Sequence, residues 1–62
     1  MKVLFEGIEI EFESTGEVID IIDCYDSEEV AEGYDQEGNK YLGTAKVCCD
    51  EIVEVYEIQK DW

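Results

Sequence analysis

The sequence contains no histidine and no arginine, and its four lysines stand against eighteen aspartates and glutamates. Each shortage excludes something. Without histidine there is no imidazole for acid–base work near neutral pH or for metal ligation. Without a cationic surface there is nothing to neutralise phosphates, which argues against direct nucleic-acid binding. No apolar run approaches the ~20 residues that a membrane span needs. Met1 to Glu6 is too short, and too soon acidic, for a signal peptide. Three cysteines make an odd count, which fits a reducing compartment better than a disulfide framework. The expected location is cytoplasmic.

What is present bounds the fold. Sixty-two residues make a single domain, 1–62, and a chain this short buries only about 60% of the surface its unfolded form exposes. Small cores commonly draw on a disulfide, a metal or a partner subunit, so a dimer is one route to stability. A hydrophobic content of 45% argues against disorder. The net charge of −14 opposes the compact state by self-repulsion, which salt should relieve.

Ile8 to Asp23 organises the rest. Ile8, Ile10 and Phe12 alternate with Glu9, Glu11 and Glu13, the period of a half-buried strand. Ser14-Thr15-Gly16 is turn chemistry, so Glu17 to Asp23 should fold back as the second arm of a hairpin. That arm has Val18, Ile22 and Cys24 on one face and Ile19, Ile21 and Tyr25 on the other. Apolar residues on both sides predict a central strand covered twice, as in a small barrel.

Lys2 to Glu6 reads as the front of the first strand, with Gly7 as a bulge rather than a turn. Asp26 to Gly33 has capping residues at its start and a glycine at its end, which predicts one helical turn or an acidic loop. Tyr34 to Tyr41 is the clearest turn, through Gly38 and Asn39. Tyr41 to Cys49 is a strand with Tyr41, Ala45, Val47 and Cys49 in one parity and Gly43 as a point of close approach. Ile52 to Ile58 reads as a strand from its β-branched content. A helix over 50–59, capped by Asp50, is the alternative and would make the fold α+β. The fold class is therefore all-β: a small twisted antiparallel sheet or partly open barrel of about five strands.

No constellation for catalysis emerges. Paired acids need a cleft that pushes their pKa values apart, and no histidine, serine motif or arginine clamp accompanies them. The chain is read as a non-enzyme with no cofactor. Asp20, Asp23, Asp26, Glu28 and Glu29 offer hard oxygens, but the spacing of an EF-hand fails, and only weak divalent-cation binding is expected. Cys24, Cys48 and Cys49 lack the fourth ligand of a structural zinc site and read as small buried hydrophobes.

Acidic faces remain. Residues two apart on a strand lie ~6.7 Å apart, so Glu9, Glu11 and Glu13 form a row of negative charge. Glu17, Asp20, Asp23, Asp26, Glu28 and Glu29 extend it around the far end, with Tyr25 and Tyr34 beside it and Trp62 at the free end as apolar anchors. A surface meant only for solubility mixes lysine with glutamate. The expected function is an acidic binding protein that blocks a nucleic-acid-binding protein by imitating phosphates. In size and charge the chain resembles small phage-encoded inhibitors of bacterial defence, such as anti-CRISPR proteins, though no motif places it in a family. Its partner would be a basic nucleic-acid-binding protein, and neither nucleic acid itself nor a membrane. An interaction domain for another basic partner is the alternative.

Overall fold

Two tight turns frame the sheet, and both require backbone that most residues resist. Glu6 and Gly7 have φ of 50° and 79°, and Cys49 and Asp50 have φ of 54° and 65°. Positive φ at both central residues is the type I′ hairpin, whose twist matches that of its strands. Glu6-Gly7 is thus a turn, and not the bulge that the length of Lys2–Glu6 suggested.

The computed structural model describes all 62 residues as five strands: β1 (Lys2–Phe5), β2 (Ile8–Ile21), β3 (Asp26–Tyr34), β4 (Lys40–Cys48) and β5 (Glu51–Lys60). They form one antiparallel sheet in the order β1-β2-β3-β4-β5. The fold is all-β. No helix of the chain is long and apolar enough to cross a membrane.

Three local expectations fail. Ser14-Thr15-Gly16 does not reverse the chain. Its turn chemistry is real, since the Ser14 hydroxyl accepts from the Gly16 N–H at 3.1 Å and the Thr15 hydroxyl from the Glu17 N–H at 3.2 Å. It is absorbed as register shifts on either side of Val18, so that β2 continues to Ile21. The reversal comes at Ile22 to Tyr25, where an Asp23 carboxylate oxygen accepts the N–H groups of Tyr25 and Asp26 at 2.8 and 3.0 Å. Asp26 to Gly33 is strand, because long flanking strands offer it ladder partners on both sides, and that outweighs capping residues in an otherwise short helix. The second arm is not covered twice either: Val18, Ile19, Ile21 and Ile22 are exposed.

β5 is strand along its length, so the C-terminal helix is not formed. Two register shifts against β4 bend it, one of them passing through Glu57 at φ 54°.

The core lies on one face of the coiled sheet: Ile10, Phe12, Ala31, Tyr41, Ala45, Val47 and Val55. Gly33 pairs with Phe12 and Tyr41. A Cβ there would lie 2.7 Å from Ile10 Cγ2 and Phe12 Cδ1 and 2.9 Å from the Glu11 carbonyl oxygen. At Gly43 the nearest contact would be Val55 Cγ1 at 3.0 Å. Tyr41 stacks edge-on against Phe5 and Trp62, with centroids 6.1 and 5.0 Å apart. Trp62 thus docks on the sheet.

The strained Cys49-Asp50 turn yields a prediction. An L-residue in the left-handed region costs about 1–2 kcal/mol, and Asn-Gly is the preferred pair for this turn. Cys49→Asn with Asp50→Gly should stabilise the chain by about 1 kcal/mol, seen as a melting temperature several degrees higher. An unchanged or lower melting temperature would contradict the turn assignment.

Candidate partner-binding face

Cross-strand partners share a face, so the register sorts the carboxylates. Glu9, Glu11 and Glu13 project from β2 on the face opposite the core, all exposed. On the same face Glu13 stands directly opposite Glu32, and Asp20 opposite Glu28. Glu28 also faces Lys46, which in turn faces Glu54. The predicted row is therefore present and broadens into a sheet of acids.

Cations temper part of it. The N-terminal ammonium lies 2.9 Å from Glu11, and Lys2 lies 3.6 Å from Glu9. Lys40 reaches Glu32 at 3.5 Å and Asp61 at 3.7 Å. The Glu32 carboxylate, followed by Tyr34, holds the Lys40 ammonium above the ordinary lysine value. Glu13, Asp20 and Glu28 form no ion pair, which moves the weight of the face from Glu9 and Glu11 toward the middle of the sheet.

Not every predicted residue joins the face. Glu29 points to the core side, opposite Ala45, and accepts hydrogen bonds from the Ser14 hydroxyl and, at 3.2 Å, from the Ser27 hydroxyl. Asp23 is committed to the β2–β3 turn, and the two N–H groups it accepts hold its carboxyl below the usual range. Asp26 stands opposite Cys48, and its carboxylate raises the pKa of the Cys48 thiol. Glu17 lies exposed in the irregular middle of β2. Tyr34 sits on the acidic face between Glu11 and Lys40, half exposed. Tyr25 stands free at the opposite tip. The two tyrosines flank β3, Tyr34 on the acidic face and Tyr25 in the turn before the strand.

The cysteines correct a further expectation. Cys24 and Cys49 are exposed because they lie in the β2–β3 and β4–β5 turns, and Cys48, the last residue of β4, is only half-buried. The facing Asp26 carboxylate, followed by the Cys49 thiol 3.8 Å away, pushes the Cys48 thiol up to about 12. It stays protonated at neutral pH and is a poor nucleophile and a poor ligand. The acids proposed for cations are divided between a turn and two faces, and no three acids or thiols converge on a common point.

Asp35 to Asn39 reads from the sequence as a turn and a failed calcium loop, and the part Asp35 plays in anchoring that turn does not emerge there. Its carboxylate accepts from the Glu37 and Asn39 N–H groups, the Asn39 side-chain amide and the Tyr41 hydroxyl, at 2.8 to 3.0 Å. The signal was available as an aspartate opening a turn with asparagine four residues later. Asp35 also lines an open groove of about 470 Å³ with Glu37, Lys60 and Trp62. Burial raises its pKa, but the donors outweigh burial and the net shift is downward. A depressed carboxyl contributes stability above its unfolded value of about 3.9, and that contribution is lost as pH falls through the folded value. Protonating the other acids relieves repulsion in both chains, so below pH ~4 the melting temperature of the native chain should fall relative to that of Asp35→Asn, which cannot titrate at this position. Parallel curves would remove Asp35 from the account.

Comparison with known protein families, curated proteins and solved structures finds no match to the chain.

The electrostatics of the whole face give a third prediction. With −14 charges on a thin core, screening removes more repulsion than attraction. The melting temperature should rise between low and high sodium chloride. One that does not rise would mean that the carboxylates are compensated by another route.

Proposed function

We propose that this chain is a non-enzymatic binder that occupies the nucleic-acid-binding surface of a basic protein, its carboxylates standing where phosphates would lie. The observation that carries the reading is like charge placed directly across strands, Glu13 opposite Glu32 and Asp20 opposite Glu28. Such pairs destabilise a sheet, by roughly 0.2–1 kcal/mol each if their cost mirrors the gain from opposite charges. Three of the four lysines lie on this face, yet Glu13, Asp20 and Glu28 stand in no ion pair. A surface serving solubility alone offsets such charges by mixing signs.

Dimensions support the same reading. The molecule is 36 Å along its longest axis, close to the ~34–36 Å of one turn of duplex DNA. Tyr34 and Tyr25 supply apolar anchors at either end of β3, and aromatic anchors dominate many interfaces. The partner is a protein with a lysine- or arginine-lined groove. Small phage-encoded inhibitors of bacterial defence, anti-CRISPR proteins among them, are the class of molecule that acts in this way, in the host cytoplasm.

The test is capture from a host lysate, repeated across a salt series. Nucleic-acid-binding proteins should dominate the retained fraction and be released both by salt and by a soluble polyanion. Retention of proteins with no nucleic-acid groove, or retention indifferent to salt, would contradict the proposal.

A further inference from the structure

The far half of β2 has a neighbour on one side only. β1 pairs with Ile8 to Glu11, and the Met1 carbonyl takes the Phe12 N–H as the last bond on that flank. Beyond it β2 is laddered to β3 alone. The Gly16 and Glu17 N–H groups are taken by Ser14 and Thr15, which leaves Val18 to Ile21 as the open stretch. In an antiparallel pair alternate residues direct their N–H and C=O groups away from the partner strand, so this stretch is an unfilled template.

Its composition is that of a strand awaiting a neighbour. Val18, Ile19 and Ile21 are 51%, 53% and 71% exposed. Edges are protected by lysine, by proline or by bulges. The register shifts of β2 end at Asp20, and Asp20 and Ile21 pair regularly with Glu28 and Ser27. This edge has no lysine, and the chain has no proline at all. Val18 and Ile21 stand opposite Glu29 and Ser27 on the core side, where they remain uncovered. Asp20 projects to the acidic side, opposite Glu28.

We propose that the Val18–Ile21 edge takes an extended basic segment of the partner protein as a sixth strand. Apolar residues of that segment cover Val18 and Ile21, and the lysines or arginines alternating with them meet Asp20 on the other face. Charge selects this occupant over a second copy. Another copy brings a further −14, and the two-fold register that sets Ile19 against Ile21 sets Asp20 against Asp20. A basic strand gains main-chain hydrogen bonds and charge pairing together. The inference rests on the reading above for the partner's charge, and it adds the way in which the partner is held.

The test adds a capped peptide of alternating lysine and valine to the isotope-labelled full chain. A peptide of the same composition, with its lysines and valines in two blocks, serves as the comparison. The alternating peptide should slow amide exchange within Val18 to Ile21 by about tenfold or more, and the block peptide should not. Val18→Thr with Ile21→Thr keeps β-branching at exposed positions, and should weaken binding of the alternating peptide about tenfold with an unchanged circular dichroism spectrum. Equal protection by both peptides would overturn the proposal in favour of charge alone. Protection that grows with protein concentration and without peptide would overturn it in favour of a second copy. The reading of the acidic face fails separately: peptide protection at the edge, together with a partner indifferent to charge reversal at Glu13 and Glu28, removes phosphate mimicry and leaves the edge.

Discussion

Gly33→Ala should lower the melting temperature by roughly 10–20 °C, or prevent folding altogether. The Cβ would enter a space already held by Ile10 and Phe12, both fully buried, and it would press on the Glu11 carbonyl oxygen as well. Three close contacts at under 3 Å leave no single flexible tip to move aside. Overpacking of this kind costs typically 1–3 kcal/mol. In a domain of this size that is a large part of the total stability, and each kcal/mol moves the midpoint by about 4–8 °C. Gly43→Ala supplies the control, because its closest contact is the tip of the Val55 side chain at 3.0 Å. It should be the milder of the two. A Gly33 variant as stable as the Gly43 variant would contradict the packing described for β2 and β3.

Charge reversal should separate stability from binding, moving them in opposite directions. Glu13→Lys with Glu28→Lys removes two negative charges, adds two positive ones and brings the net charge from −14 to −10. Each new lysine faces a carboxylate across strands, Glu32 in one case and Asp20 in the other. Stability should hold or rise by a few tenths of a kcal/mol, although Lys46 opposite position 28 subtracts from the gain. Affinity for the basic partner should fall roughly a hundredfold, from loss of complementarity at a desolvated charge pair and from a slower on-rate. Asp61→Lys changes charge at the rim of this face, where Asp61 shares Lys40 with Glu32, and should cost only a few-fold, in keeping with an exposed ion pair. If all three positions behave alike, net charge rather than arrangement governs binding.

The parts legible in the sequence were those where one face of a strand is buried and the other wet. Ile8 to Phe12 alternates, and the alternation places Ile10 and Phe12 in the core with Glu9, Glu11 and Glu13 outside. Tyr41, Ala45 and Val47 follow the same rule in β4. The illegible parts are those whose conformation is decided by a neighbour. Asp26 to Gly33 carries only Val30 and Ala31 as apolar residues, so its strand character comes from being laddered between β2 and β4. Ser14-Thr15-Gly16 has the same residues whether it turns the chain or bulges within it, and the choice lies with β3, which keeps pairing beyond it. The acidic row itself was readable. The inward direction of Glu29 was not, because it depends on the parity of a strand that the sequence did not announce.

Competition is the most direct measurement of the central claim. A captured partner would be held with labelled nucleic acid of its own preference, and this chain titrated against the complex. The account predicts full displacement, an apparent affinity that falls steeply with salt, and loss of displacement with the Glu13→Lys, Glu28→Lys chain. A ternary complex in which the partner binds nucleic acid and this chain together, each with its affinity unchanged, would contradict it.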